Sequence, residues 1–304
     1  MKTKLVIAAG TGFLGNILIQ HFSEQFEEIV VLTRGNARVK NNISYVNWDA
    51  KHIDSWIHAL ENAQVLINLT GKSVDCRYND KNKAMILNSR IDSTNVLNEA
   101  IDLLKNPPLH FLNASTATIY KHSEVNFQDE ISGTIGNDFS MNVAKAWEAA
   151  FYSKENPKTL KTALRIGIVF GKNGGALPIL KNLTKLLMGG KQGKGNQYIS
   201  FIHEQDFASA VDFIIQNKIT GSINLVSPNP IQNHDFMQIL RNQLNVFFGM
   251  PTPKFLLEIG AIIIRTEPEL ILKSRKVVPT RLLQAGFKFK FPDAKSALNQ
   301  IYPQ

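Results

Sequence analysis

Cysteine is almost missing from this chain: Cys76 is the only one in 304 residues, so no intramolecular disulfide can form. A chain of this length buries roughly three-quarters of its unfolded surface and needs neither a disulfide nor a metal staple. A lone thiol fits a reducing compartment. Long apolar runs are missing as well. Leu5 to Ala9 follows a short basic start, but Gly10 ends it before a secretory core can form. The most apolar later stretch, Phe255 to Ile264, is ten residues long and contains Glu258. A bilayer span needs about twenty, so this stretch reads as a buried helix. The expectation is a cytoplasmic protein with no membrane partner.

Acid is missing from one region. Asn156 to His203 contains no Asp or Glu but eight basic residues: Lys158, Lys161, Arg165, Lys172, Lys181, Lys185, Lys191 and Lys194. The whole chain carries 34 − 25 = +9 charges. Such a run is either a solvated face or an attraction for an anionic, phosphate-bearing ligand. Nucleic acid is not an expected partner, because no stacking aromatics or recognised binding motif interleave with the lysines. Nor do any two of the seven histidines share metal-ligand spacing with a cysteine or carboxylate, so no metal site is expected.

What is present has an ordinary globular make-up, 44% hydrophobic and 19% charged, which excludes a disordered or fibrous chain. Apolar runs at Leu5–Ala8, Ile29–Leu32, Ile43–Val46, Val65–Leu69, His110–Ala114 and Ala163–Phe170 read as buried strands. Helical periodicity fills the gaps, most clearly from about 80 to 104, with Ile86, Ile91, Leu97 and Ile101 on a recurring face. Continuous apolar strands alternating with helices predict an α/β fold, a Rossmann-type doubly wound parallel sheet with a smaller C-terminal substrate or cap part. The expected division is 1–249 and 250–304. The first has a core of 1–171 and 203–226 with a cap segment 172–202; the second is a small helical module.

The first strand runs into Gly10-Thr11-Gly12-Phe13-Leu14-Gly15, which opens a helix. Glycines there permit a tight turn and let the backbone approach a pyrophosphate, which the helix N-terminus attracts. In this context the spacing predicts a dinucleotide cofactor. At the end of the second strand stands Arg34, with Arg38 nearby, where an acidic residue would hold a ribose 2′-hydroxyl. An arginine there accommodates a 2′-phosphate instead, so the expected cofactor is NADP(H).

These motifs, with Asn68-Leu69-Thr70-Gly71, Ser89-Arg90-Ile91, Thr94, Ser115 to Tyr120, Trp147-Glu148, Phe201-Ile202-His203, Asp206 and Pro279 to Leu283, resemble a known family. It is the atypical extended short-chain dehydrogenase/reductase group, NAD(P)-dependent epimerase/dehydratase-like proteins predicted to act on nucleoside-diphosphate sugars. That group carries a C-terminal domain of unknown function. Ala9 departs from it, since relatives carry glycine there. The resemblance implies roles: Asp49 at the adenine, Leu69, Thr70 and Gly71 at the nicotinamide ribose, and Thr116 beside Ser115 as the catalytic hydroxyl. It matches Lys145 to the catalytic lysine, which also holds the ribose. The tyrosine expected four residues earlier is Met141, and a thioether moves no proton.

Tyr120, the nearest phenol in sequence, either replaces that group or packs against the cofactor. His203 with Asp206 suggests an imidazole–carboxylate pair. Cys76 beside Arg77 reads as a passive thiol. Two functions stay open. One is an NADP(H)-dependent oxidoreductase or epimerase acting on a nucleotide-sugar-like or other small polar or anionic substrate. The other is an NADPH-binding protein with little or no catalysis, a redox sensor or partner-binding module.

Overall fold

A computed structural model describes residues 3–253 and 272–303; the helix expected at 255–264 lies outside them. The chain lays down β1 (Lys4–Ala8), β2 (Glu28–Thr33), β3 (Arg38–Lys40), β4 (Ile43–Asn47), β5 (Val65–Asn68), β6 (His110–Thr116) and β7 (Leu160–Ile166). Then follow β8 (Ile168–Phe170), β9 (Tyr198–Ile199), β10 (Phe201–His203), β11 (Gly221–Leu225) and β12 (Ile231–Gln232). Helices α1 (Phe13–Phe22), α2 (Asp80–Leu103), α3 (Phe139–Tyr152), α4 (Leu177–Leu183), α5 (Glu204–Gln216) and α6 (Asn233–Gln243) connect them. Two short helices, α7 (Thr280–Gln284) and α8 (Ala294–Ile301), come last.

Eight strands form the main sheet in the order β11-β7-β6-β5-β1-β2-β4-β3. All neighbours are parallel except β3, which runs antiparallel to β4. The doubly wound parallel sheet expected from the sequence is therefore present. Its strands read as unbroken apolar runs because both faces are covered. Leu5 and Ile7 pack under Leu18 and Phe22 of α1 and Phe207 and Val211 of α5. Val6 and Ala8 face Val96, Leu97 and Ile101 of α2 and Phe151 of α3. The order of strands reverses between β1 and β5, which opens a crevice at their carboxyl ends, where such sheets bind ligands.

Two expectations need correction. The single strand read over 163–170 is two, because Gly167 turns the chain out of the main sheet to pair β8 with β10. A Cβ at Gly167 would lie 2.7 Å from Val226 and 2.8 Å from the Ser200 carbonyl, so only glycine fits this crossing. Strand β3 was not expected at all; its three residues are exposed, so no apolar pattern marks them. Beyond the sheet, Phe236, Met237 and Leu240 of α6 form a further core with Phe170, Phe201, Leu298 and Ile301. Asp206 ties the C-terminal chain to α5 by accepting from the backbone N–H groups of Lys290 and Phe291 at 2.9 and 2.8 Å.

At the start of β6, His110 is 4% exposed. Its Nε2 donates to Thr162 Oγ1 at 2.8 Å, because the threonine hydrogen goes to the Ile219 carbonyl. Burial pulls its pKa from 6.5 down to about 4. Between those values the unfolded chain takes up a proton that the folded protein refuses. Stability should therefore hold above the upper value and fall by about 3 kcal/mol as pH drops to the lower one. Urea unfolding across this window checks it, and His110→Leu should flatten the slope.

Candidate functional site

At the carboxyl ends of the central strands lie two cavities of about 1140 and 480 Å³, joined through Thr70, Gly71, Lys72 and Ser73. The turn from β1 to α1 borders both. Gly15 sits against this turn: a Cβ there would lie 2.2 Å from the Gly10 carbonyl oxygen. Gly10 packs on Ile7 and Val31. Gly12 differs, since a Cβ would meet nothing within 4 Å. It caps α1 with no side-chain hydrogen bond, leaving the first amides of the helix to the crevice. Ala9 takes a left-handed φ of 58°, a conformation that glycine adopts at less cost, and its methyl lines the larger cavity.

The larger cavity is also lined by Thr11, Arg34, Asp49 and Thr70. Arg34 is exposed and has no hydrogen-bonding or ionic partner among the described residues. Asp49 accepts from the backbone N–H of Lys51 and His52 at 2.8 and 2.9 Å and from His52 Nδ1 at 2.6 Å. The His52 amide first, then its ring, hold the carboxyl down to about 2. Thr70 Oγ1 is a buried hydroxyl without a partner among the described residues. Arg38 stacks instead on Tyr45 at 4.3 Å, on the outer strand pair.

The smaller cavity has Phe13, Leu14, Leu69, Val143 and Ile168 as apolar walls, with the hydroxyls of Ser115, Thr116, Thr118 and Ser140. Thr116 Oγ1 donates to Thr118 Oγ1 at 2.9 Å. Ser115 donates to Glu148 Oε1 at 2.6 Å. Glu148 in turn takes two hydrogen bonds from Arg165, both 2.8 Å, and one from Ser222 at 3.1 Å. Burial opposes the Arg165 charge, but the hydrogen bonds and charge of Glu148 outweigh it and raise the guanidinium above its ordinary value.

Helix α3 is capped by Asp138, which accepts from the Met141 amide at 3.0 Å. It turns Ser140, Val143 and Trp147 to the cavity, the i, i+3, i+7 face. Met141 stands about 100° round the helix from Ser140 and Lys145 about 140° round, toward its far side. Met141 is 4% exposed, packed on Gly136. Lys145 does not line either cavity; its ammonium donates to Asn137 Oδ1 at 2.6 Å. The structure thus keeps Thr116 and Ser115 together and leaves Lys145 apart from them.

Tyr120 also lies elsewhere. It is 1% exposed, donates to Asn224 Oδ1 at 3.0 Å and accepts from Arg165 at 2.8 Å. Burial pushes its pKa up to about 12. His203 makes no hydrogen bond to Asp206: it caps α5 through Nδ1 and meets Gln300 Oε1 at 2.8 Å through Nε2. The acid-free run makes no anion site here, since none of its eight basic residues lines either cavity. Lys161, for one, lies half-buried against the end of α3, donating to the Phe151 and Lys154 carbonyls at 2.7 and 2.6 Å.

Two cavity residues were not singled out by reading the sequence for site chemistry. Tyr78 contributes a phenol from the loop before α2, with its ring against Phe139 at 5.0 Å. Arg90 reaches in from α2 and lies over Trp147 at 4.9 Å. Neither spacing nor periodicity marks them, because the fold brings them together from distant elements.

Residues 5–225 match the profile of the NAD dependent epimerase/dehydratase family, and 252–301 match a domain of unknown function. The chain is similar to the epimerase family protein YfhF of Bacillus subtilis, 31% identical over 98% of this chain and 97% of that one. An epimerase family protein of Staphylococcus aureus is also 31% identical, over 97% and 98%. Among solved structures, the human epimerase family protein SDR39U1, crystallised with NADPH, superposes with a TM-score of 0.88 at 26% identity, covering 99% of both chains. A nucleoside-diphosphate sugar epimerase from Corynebacterium glutamicum superposes at 0.78 with 25% identity, over 99% of this chain and 58% of that one.

The glycines make distinguishable predictions. Gly12→Val should leave the fold and its unfolding midpoint intact, because the new side chain enters open space, yet it should abolish dinucleotide binding. Gly15→Val should unfold the protein. Circular dichroism and cofactor titration of both variants check this.

Proposed function

The chain belongs to the NAD-dependent epimerase/dehydratase family, and on that footing we propose that it binds NADP(H) along the joined cavities and acts as an oxidoreductase or epimerase on a small polar substrate. The observation that carries the cofactor choice is Arg34, a cation lining the larger cavity with no partner among the described residues. The site also suits a dinucleotide elsewhere. Gly12 leaves room above the uncapped end of α1 for a pyrophosphate, and Thr70 Oγ1 is a buried hydroxyl awaiting a partner. The human relative solved with NADPH supports the same choice.

In this reading Asp49 borders the adenine, Leu69, Thr70 and Gly71 border the nicotinamide ribose, and Arg34 pairs with the 2′-phosphate. When bound, the cofactor supplies a hydride acceptor or donor at its nicotinamide ring. The chain's own residues do the rest. Thr116 orients the reacting oxygen, while Ser115, fixed by Glu148, supports the strand end beside it. Lys145, matched to the family's catalytic lysine, would have to exchange its bond to Asn137 to reach the nicotinamide ribose. Tyr78 takes the place of the phenol lost at Met141, as the one phenol lining the smaller cavity among the described residues. The reading as a cofactor-binding protein without catalysis is favoured by one observation, that no histidine or carboxylate lines that cavity among the described residues.

Arg34→Ala should weaken NADPH binding by about 1.5–3 kcal/mol, roughly ten- to a hundredfold, and leave NADH nearly unchanged. Fluorescence titration of both cofactors measures it, and equal wild-type affinities would sink the NADP(H) assignment. Tyr78→Phe should lower turnover about 10²–10⁴-fold at unchanged NADPH affinity. The assay is NADPH oxidation over a panel of carbonyl compounds. Turnover equal to wild type would remove Tyr78 from the chemistry, and no turnover in either protein would favour the non-catalytic reading.

A further inference from the structure

Among the described residues, Arg90 is the one charge lining the smaller cavity besides Lys72. It is a half-buried guanidinium with no carboxylate partner among the described residues. A charge taken out of water without a counter-charge is costly, and burial lowers the Arg90 pKa to about 10. Its position is nevertheless fixed. Nη1 donates to the carbonyls of Lys72 and Ile86 at 3.1 and 2.8 Å, which uses both of its hydrogens. The plane lies over Trp147, and Gly71 covers it so closely that a Cβ there would come within 3.0 Å of Cζ. The opposite edge, Nε and Nη2, has no protein acceptor among the described residues and is not sealed from solvent. Two parallel N–H groups on one planar edge match the two oxygens of a carboxylate.

The rest of the lining narrows the ligand. Phe13, Val74, Phe139 and Ile168 offer an apolar body somewhere to lie. A diphosphate needs several cations, and the acid-free basic run contributes none here. We propose that the smaller cavity takes its substrate as a carboxylate with an apolar body, gripped two-pronged by the Nε–Nη2 edge of Arg90 with its reacting carbon toward Thr116. This deepens the reading of the groove as an NADP(H) site and rests on it for the placement of the reacting carbon, but not for the anion grip.

The test uses the full chain, with and without saturating NADPH, and isothermal titration with hexanoate, hexanamide and inorganic phosphate. Wild type should bind hexanoate at least tenfold more tightly than hexanamide or phosphate. Arg90→Gln should erase that preference, and Arg90→Lys, which keeps the charge and loses the fork, should retain only part of it. The wild-type comparison stands even where a variant fails to fold. Equal binding of hexanoate and hexanamide overturns the proposal, as does phosphate binding as well as hexanoate. So does a tenfold loss of NADPH affinity in folded Arg90→Gln, which would make Arg90 a cofactor residue. If wild type fails to bind NADPH but keeps the Arg90-dependent preference for hexanoate, the anion grip is supported and the cofactor reading falls.

Discussion

A carboxylate placed among strands must be answered on every lone pair, and Glu148 is so answered. Arg165 meets both of its oxygens, and Ser115 and Ser222 add a hydroxyl each. These partners sit on β6, β7 and β11, while Glu148 itself sits on α3. One ion pair therefore fixes how the helix is rotated over the edge of the sheet. Removing one partner of such a pair typically costs about 3–5 kcal/mol, because the other charge stays buried alone. The rotation decides which side chains of α3 reach the smaller cavity. It also draws the Tyr120 hydroxyl to Arg165 and away from solvent, which is why that phenol cannot serve the crevice.

The same constraint explains what could and could not be read from residues alone. The strands were legible because each is a short apolar run buried on both faces. The glycine turn was legible because a close approach of helix to strand admits no other residue at Gly15. Arg34 was legible because its position follows from the end of β2. Lys145 takes its expected role from the family resemblance, which matches it to a catalytic lysine four residues after the position that Met141 occupies here. Spacing says which residues share a helical face, but not where that face points. That direction comes from Glu148 and Arg165, seventeen positions apart in sequence and bonded across the sheet. Tyr78, and the part that Arg90 of the Ser89-Arg90-Ile91 motif plays in the cavity, were not legible for a related reason, since a loop and a helix must first be folded together before they share a wall.

Charge along the chain behaves similarly. The segment without acid looks like a basic patch when written out, yet β7 carries two of its eight basic residues, Lys161 and Arg165, into the sheet, while Lys158, Lys172, Lys185, Lys191 and Lys194 stay exposed. Lys161 meets carbonyls at the end of α3, where the helix dipole favours a cation, and Arg165 belongs to the buried pair. A run of like charges becomes a surface only if the backbone keeps it on one.

Ala9 holds a left-handed turn that glycine would hold at less cost, by about 1–2 kcal/mol in the folded state. Part of that difference is returned in the unfolded chain, where alanine samples fewer conformations than glycine. The turn that leads into α1 thus has less disorder to lose on folding than glycine would give it. Its methyl group trades strain in the folded turn for a smaller entropy loss in forming the mouth of the groove.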